Sequence, residues 1–237
     1  LQKTVAVTEN KNVKLDFVPS YSRPLISGRD RPAANRNNPY DFTVVGGATG
    51  YQWKQDRRVP FTGIEGAEEG LSRVTAQTSG GYDVLDSSVR ASGNFSFHLA
   101  HSKTEDQTLT LNRLFRPKPT AQLIFSSRLG FAGKAQTARA EISADSGRTW
   151  LEVWSQTGTE ERGQTAFASQ SVPLAAFAGE EIAVRFRYDF TQGSFFDQTA
   201  PGVGFYLDDI ALTDTEELLD EQIVDVLSGT SFSFAPA

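Results

Sequence analysis

The sequence contains no cysteine, and it has only two histidines among its 237 residues. The missing cysteine excludes disulfides, thiolate catalysis, iron–sulfur clusters and zinc sites built on cysteine. Two histidines leave little material for a histidine-rich metal site or for a conventional catalytic triad. The fold must therefore be held together without covalent cross-links.

Methionine is missing as well, and the chain begins with Leu1. Translation starts at methionine, and removal of that methionine rarely exposes a leucine. We therefore expect this chain to be a segment of a larger protein.

The chain is also short of positive charge and of long apolar runs. It has 23 Lys and Arg against 29 Asp and Glu, a net charge of -6 and a pI near 5.0. This balance argues against a nucleic-acid partner, which favours a basic face. No segment approaches the ~18 uncharged apolar residues of a membrane span. What the chain does contain is 17 Phe, enough to anchor a globular core.

Short segments in which apolar and polar residues alternate dominate the sequence. In the segment 182–188 the apolar side chains share one face, and Arg185 and Arg187 lie on the other, as in a sheet with one wet face. Many short strands separated by turn residues predict an all-β sandwich or barrel. The strands predicted in this way are Thr43–Val45, Phe95–Leu99, Thr108–Leu111, Ala121–Phe125, Ala138–Ile142, Leu151–Trp154, Ile182–Tyr188 and Gly204–Leu212.

The segment that follows Leu212 allows two interpretations. Thr213 and Glu216 have capping-box spacing, and apolar residues follow at intervals of three to four, which predicts a helix. Residues 224–226 alternate instead, which favours a strand.

Residues 143–150, SADSGRTW, resemble the Asp-box, a hairpin turn. Asp145 is expected to accept backbone N–H bonds across the turn, Gly147 to adopt a positive φ and Trp150 to pack beneath it. Trp150 and Trp154 are expected to share a face of the next strand. In sialidases this box lies away from the catalytic centre, so the resemblance implies a structural turn. Its residues here are Ser143, Asp145, Gly147, Thr149 and Trp150.

Residues 202–212, GVGFYLDDIAL, place Asp208 and Asp209 side by side in a strand, so that they point to opposite faces. Together with the preceding turn, this motif resembles the jelly-roll modules of the MAM-like and immune-inhibitor-A-like type. Residues 92–100, SGNFSFHLA, and 61–68, FTGIEGAE, extend the resemblance. It implies a jelly-roll β-sandwich over residues 61–212, of the concanavalin or galactose-binding-like kind.

The resemblance also implies a structural Ca²⁺ that joins the first strand to the last. Its ligands would be Glu65 or Glu68 together with Asp208 or Asp209. The alternative is that Asp209 caps backbone N–H groups or pairs with Arg185 or Arg187.

A second candidate site is a loop rich in phenylalanine between the last two strands. Aromatic rings and polar groups in a loop favour a ligand-binding rim, for instance for a glycan. The alternative is that the rings fold back over the end of the sandwich. The candidate ligand-binding residues are Phe190, Phe195, Phe196, Asp197 and Tyr206.

His98 and His101 lie three residues apart with Asp106 nearby. A zinc site needs more ligands than these, so the sequence favours histidines that face solvent or lie in a loop.

The regions on either side of the jelly roll, residues 1–60 and 213–237, show other sequence patterns. Residues 1–60 contain predicted strands at Val5–Val7, Val13–Phe17 and Tyr51–Trp53 and a long loop at 20–40, and residues 46–53 resemble a strand of fibronectin-type-III or Ig-like modules. The tail, 213–237, contains a strand near 230–234 that is expected to complete a partial Ig-like β region.

Together these features predict a non-catalytic accessory or adhesion module of a secreted or cell-surface bacterial protein. Its expected partners are a glycan or neighbouring domains, with neither nucleic acid nor a membrane span. The alternatives are the C-terminal part of a secreted peptidase or glycosidase whose catalytic domain lies upstream, and a purely structural spacer. A glycosidase would need two carboxylates in one cleft, and nothing in the sequence spacing indicates that cleft.

Overall fold

The computed structural model describes residues 24–29, 33–48, 50–78, 83–100, 105–192, 200–226 and 229–235. Their regular structure is antiparallel β with one 3₁₀ turn at Ala175–Phe177, so the all-β prediction is confirmed. In this part of the chain no helix is long and apolar enough to cross a membrane. The chain divides into two compact units, residues 56–221 and residues 1–55 with 222–237.

The strands follow one another in chain order with short connections. They are β1 (Ile26–Ser27), β2 (Asn38–Phe42), β3 (Tyr51–Pro60), β4 (Ile64–Glu65), β5 (Val74–Gln77), β6 (Leu85–Asp86), β7 (Ser96–Leu99), β8 (Gln107–Leu111), β9 (Leu114–Leu129), β10 (Gln136–Ser143), β11 (Leu151–Thr157), β12 (Ala168–Pro173), β13 (Ala183–Phe190), β14 (Phe205–Val226) and β15 (Ser231–Phe234).

Two sheets build the larger unit. One has the order β11-β10-β13-β8-β5, and the other has the order β12-β9-β14-β7-β6, with β3 and β4 also paired to β14. From β7 to β14 the chain crosses repeatedly between the two sheets. This exchange between two antiparallel sheets is the jelly-roll sandwich that the sequence predicted.

The core lies between the sheets and is built by alternation along each strand. In β13 the side chains of Val184, Phe186 and Tyr188 are buried, while Arg185 and Arg187 lie on the outer face. Phe186 meets Phe125 of β9 edge-on, with ring centroids 5.0 Å apart. Apolar side chains of the two sheets therefore interdigitate, and the burial of such rings is the main stabilising term.

The segment after Leu212 continues β14 as a strand to Val226, so the helical interpretation is wrong. Thr215 lies opposite Pro117 of β9 and is buried, and Glu216 lies opposite Arg116. Pairing with the long strand β9 outweighs the local helical signal, because helix propensity is a weak preference that tertiary contacts override.

The smaller unit contains the three-stranded sheet β1-β2-β15. Phe232 of β15 lies opposite Tyr40 of β2, whose hydroxyl donates to the carbonyl of Arg29 at 2.8 Å. The predicted strand Thr43–Val45 is wrong by a few residues, since the strand ends at Phe42. The predicted strands within residues 1–23 lie outside the described residues. Whether this unit is Ig-like stays a prediction.

Candidate functional site

The segment 61–68, which contains Glu65 and Glu68, lies next to the part of β14 that carries Asp208 and Asp209. Strand β4 pairs with β14, which places Glu65 opposite Ile210 and Ile64 opposite Ala211. Directly opposite residues of antiparallel strands point to the same face. Ile210 belongs to the buried core, so Glu65 also points inward, between the two sheets.

Glu65 lines a slot at the margin of the sandwich. We call this the Glu65 slot; its lining residues are Phe61, Ile64, Glu65, Arg73, Leu111, Arg113, Phe115 and Ile210. The slot opens to solvent, and the free space inside it is about 10 Å³, which is room for about one water molecule. Apart from one carboxylate and two guanidinium groups, its walls are apolar.

The Glu65 carboxylate is nearly surrounded by protein, since the residue is only 7% exposed. Burial raises its pKa, while the charges of Arg73 and Arg113 and the backbone N–H of Ala67 act in the opposite direction. Neither arginine forms an ion pair with Glu65 within 4.0 Å in the described part of the chain. The carboxylate therefore keeps acceptor capacity that faces the slot.

The two arginines of the slot are engaged by other carboxylates. Arg73 pairs with Glu69 at 2.6 Å, and Arg113 pairs with Glu217 at 3.3 Å. The guanidinium of Arg113 also lies over the ring of Phe61, 5.4 Å from its centroid. These contacts fix the arginines at the rim of the slot.

Asp208 is fully buried and accepts three backbone N–H bonds. Its Oδ2 accepts from Ala91 at 2.8 Å and from Ser92 at 3.1 Å, and its Oδ1 accepts from Asp209 at 2.8 Å. Burial nevertheless raises the pKa of Asp208, although the three donors oppose that change. The N–H donors take the place of a counter-ion.

Two further carboxylates, those of Asp209 and Glu68, bind the loop of residues 91–95 that contains Ala91 and Ser92. Asp209 accepts from the hydroxyl of Ser92 at 2.6 Å. Glu68 accepts from the backbone N–H of Asn94 at 2.7 Å and of Phe95 at 2.8 Å, and these bonds lower its pKa. We call Glu68, Asp208 and Asp209 together the acid clasp on residues 91–95.

Gly93 lets the loop approach Glu68 closely. Its φ is +56°, and a Cβ at this position would overlap the Glu68 carboxylate. A side chain here would therefore displace the acid clasp.

The four predicted calcium ligands do not fit a calcium ion. Glu65 points into the slot, whereas Glu68, Asp208 and Asp209 accept hydrogen bonds from N–H and O–H groups of the loop. Ca²⁺ needs six to eight oxygen ligands, and N–H hydrogens directed at the same lone pairs repel a cation. In the described part of the chain no group of three or more His, Asp or Glu side chains is arranged to hold a metal. Asp209 does not pair with Arg185 or Arg187 either, because both arginines bind Glu141.

Tyr206 and Phe190 do not form the exposed sugar platform that the sequence suggested. Tyr206 is fully buried, with its ring stacked on His98 at 3.9 Å and the Arg128 guanidinium 5.3 Å from its centroid. Phe190 is partly buried at the end of β13. The remaining candidates, Phe195, Phe196 and Asp197, lie outside the described residues.

His98 is buried, so the prediction of a solvent-facing histidine is wrong. It is 2% exposed, and its Nε2 lies 2.7 Å from the carbonyl of Val203. A carbonyl only accepts, so Nε2 carries the proton. Burial lowers the pKa of His98. His101 lies outside the described residues.

The turn at 143–150 is held by Asp145. Its carboxylate accepts from the N–H of Thr149 at 2.9 Å, from the Thr149 hydroxyl at 2.6 Å and from the Ser143 hydroxyl at 2.8 Å. Gly147 has a φ of +83°, and its carbonyl accepts from the Trp150 indole at 3.1 Å. The bonds to Asp145 lower its pKa to about 2.

The outer face of the β11-β10-β13-β8-β5 sheet carries an ion-pair network that sequence reasoning missed. Buried Glu141 of β10 accepts from the Nε of Arg185 at 2.8 Å and from the Nε of Arg187 at 3.0 Å. Arg185 also lies over the ring of Trp150, 4.1 Å from its centroid. The only signal in the sequence was the alternation of β10, which places Glu141 outward but does not name its partners.

Comparison with known proteins gives likeness in structure only. No family model matches the chain, and no curated protein matches it. The K3 cleaved adhesin domain of Lys-gingipain from Porphyromonas gingivalis W83 is 16% identical, with a TM-score of 0.43, over 63% of this chain and 97% of that domain. A carbohydrate-binding module of the β-sandwich superfamily is 12% identical, with a TM-score of 0.43, over 82% of this chain and 99% of the module. The CBM22-2 xylan-binding domain of Paenibacillus barcinonensis Xyn10C is 14% identical, with a TM-score of 0.38, over 64% of this chain and 98% of that domain.

The acid clasp gives a test for calcium. Because N–H and O–H groups of the loop already bind these carboxylates, we expect neither excess Ca²⁺ nor EDTA to change the Tm. The substitution Asp208→Ala should lower the free energy of unfolding by about 3 kcal/mol, because three backbone N–H groups lose their acceptor. Urea unfolding measures this loss, with the exposed aspartate variant Asp41→Ala as control. A clear rise in Tm with Ca²⁺, reversed by EDTA, would contradict the assignment.

Asp145 gives a test in acid. Its folded pKa of about 2 lies below the ordinary 3.8, so the ionised carboxylate stabilises the fold above the ordinary value. That contribution is lost as the pH falls through about 2. Urea unfolding at a series of pH values should therefore show a steeper acid loss of stability in the wild type than in Asp145→Asn. Parallel curves for the two proteins would be inconsistent with this role.

Proposed function

We propose that this chain is a non-catalytic binding module of a larger secreted or cell-surface bacterial protein. Its ligand is a glycan, one sugar residue of which binds over the mouth of the Glu65 slot and places a hydroxyl group in it. The observation that carries the proposal is the Glu65 carboxylate, which is buried between the sheets and presents an acceptor to the slot.

The chemistry of the slot suits a sugar ring. A pyranose has apolar C–H surfaces and hydroxyl groups around its edge. Ile64 and Phe61 provide apolar contact, Glu65 accepts hydroxyl hydrogens, and the rim arginines donate to hydroxyl oxygens.

The size of the slot limits what enters it. The free space inside it is about 10 Å³, which is room for about one water molecule. A single hydroxyl group can therefore enter the slot, whereas the sugar ring and the remainder of a glycan lie outside it.

Hydrolysis needs more than the slot provides. Glycosidases use two carboxyl groups about 5–9.5 Å apart on either side of the scissile bond. Among the described lining residues Glu65 is the only carboxylate, and the neighbouring Glu69 and Glu217 are paired with Arg73 and Arg113. Glu68, Asp208 and Asp209 hold the loop at 91–95. This arrangement supports binding over catalysis.

The proposal is tested with the isolated chain on an array of terminal and branched oligosaccharides, followed by calorimetry with the strongest binder. Glu65→Gln should weaken binding about tenfold to a hundredfold, because hydrogen bonds to a charged acceptor contribute about 1.5–3 kcal/mol. Unchanged far-UV circular dichroism and Tm would show that the variant is folded.

Glu161→Gln provides the matched control, since Glu161 is an exposed glutamate in the loop that contacts Ala132, beyond the end of β9 farther from the slot, and its substitution should leave affinity unchanged. Equal affinity of Glu65→Gln and the wild type would disprove the site. Failure of the wild type to bind any oligosaccharide would disprove the glycan ligand and favour a spacer or a module that binds neighbouring domains. Hydrolysis of a bound oligosaccharide would disprove the non-catalytic assignment.

A further inference from the structure

Strand β12 (Ala168–Pro173) forms one edge of its sheet and, in the described part of the chain, pairs only with β9. The N–H of Leu174 donates to the carbonyl of Ala121 at 2.9 Å, and the register of β12 on β9 shows no shift. Because alternate residues of a strand direct their N–H and C=O groups to the same neighbour, Ser169 and Ser171 direct theirs away from β9. Both serines are exposed, so their four backbone groups are open to another strand.

The edge strands β11, β5 and β6 have features that hinder pairing with another chain, and β12 lacks them. Strand β11 contains a bulge and the ion-paired carboxylate of Glu152, while β5 and β6 are only four and two residues long. Charges, bulges and short length are common means of protecting an edge. In contrast, residues 163–179 contain no charged side chain, although 22% of the chain is charged.

The sequence of β12 is nearly symmetric about Gln170. Ser169 and Ser171 flank it directly, and the small apolar residues Ala168 and Val172 follow on either side. When two copies run antiparallel about Gln170, Ser169 of each copy lies opposite Ser171 of the other. Each of these two pairs can exchange two backbone hydrogen bonds, which uses all the open groups of both serines.

We propose that β12 pairs antiparallel with β12 of a second copy of this chain, so that two jelly rolls share one continuous sheet. The contact is isologous, with the same strand on both sides, and it closes at two copies. Pro173 has no N–H and limits the pairing to residues 168–172. The inference is independent of the proposed glycan site, because none of the described residues that line the Glu65 slot belongs to β12.

The size and charge of the contact set its strength. Five residues of strand span about 17 Å, which is a narrow contact beside the ~800 Å² per partner of a stable interface. Each copy carries a net charge of -6, and salt screens the resulting repulsion. We therefore expect a weak dimer that forms at high protein concentration and is favoured by moderate salt.

Sedimentation velocity tests the pairing between about 10 μM and about 1 mM protein, where weak complexes dissociate. The wild type should shift from monomer to dimer as the concentration rises. Ser169→Pro should weaken the dimer about tenfold or more, because each serine pair loses one hydrogen bond, while the pairing of β12 with β9 is kept.

Ser155→Pro in β11 is the matched control. The N–H of Gly158 donates to the carbonyl of Gln136 of β10 at 2.9 Å, so the N–H of the exposed Ser155 also points away from its sheet. This variant should dimerise like the wild type. Unchanged far-UV circular dichroism and Tm would show that both proline variants are folded.

A single cysteine tests the register without a proline. At the axis the two copies of Gln170 face each other in a pair without backbone hydrogen bonds, in which the Cα atoms are about 4.5 Å apart. This distance allows a disulfide, and the chain has no other cysteine. Gln170→Cys should therefore cross-link under mild oxidation faster than Gln156→Cys, which replaces a partly buried glutamine of β11.

Three results would each overturn the inference. The first is a wild type that stays monomeric up to about 1 mM. The second is a dimer that a folded Ser169→Pro leaves intact, because another surface would then hold it. The third is equal cross-linking of the two cysteine variants, because the two copies would then not meet at Gln170.

Discussion

A carboxylate that leaves water needs partners, and this requirement organises the larger unit of the protein. Asp208 is buried with three backbone N–H donors, and Glu141 is buried between two arginines. Burying either group alone would cost several kcal/mol. Glu65 is the exception, because its described partners leave acceptor capacity toward an open slot. At the proposed binding site, the protein therefore supplies only some of the partners that a buried carboxylate needs.

The jelly roll explains why these groups lie where they do. Strand β14 runs through the middle of its sheet, next to β9, β7 and β4. Its register with β4 turns Glu65 inward beside Ile210, while the carboxylates of Asp208 and Asp209 reach the loop at 91–95. One strand pairing therefore supplies both the structural clasp and the candidate ligand site.

Much of the fold could be predicted from local patterns. The alternation in 182–188 correctly separated the core face of β13 from its arginine face, because a strand with one buried face must alternate. The start of β9 was missed, since Pro117 and Pro119 argue against a central strand. The segment after Leu212 was ambiguous, because its pairing with β9 is a long-range contact that local spacing does not show.

The candidate site was harder to predict than the fold. The resemblance brought the segments of Glu65 and Asp208 together, but it did not show that Glu65 points away from the acid clasp. A β-bulge opposite Ala140 and Glu141 places Trp154 against the core, whereas Trp150 lies beneath Arg185, so the expectation that they share a face is wrong. Tyr206 and His98 lie on the outer side of their sheet and yet are buried. The alternation of apolar and polar residues predicts which face of a strand a side chain occupies, but it does not predict which other groups cover that face.

The environment of Glu65 is the centre of this account, and a carboxyl-detected NMR titration measures it directly. Burial without an ion pair predicts a midpoint for the Glu65 side chain above its ordinary pKa of 4.5. A midpoint well below 4.5 would mean that an arginine pairs closely with Glu65 and occupies its acceptor. That result would contradict the open slot and the binding function built on it.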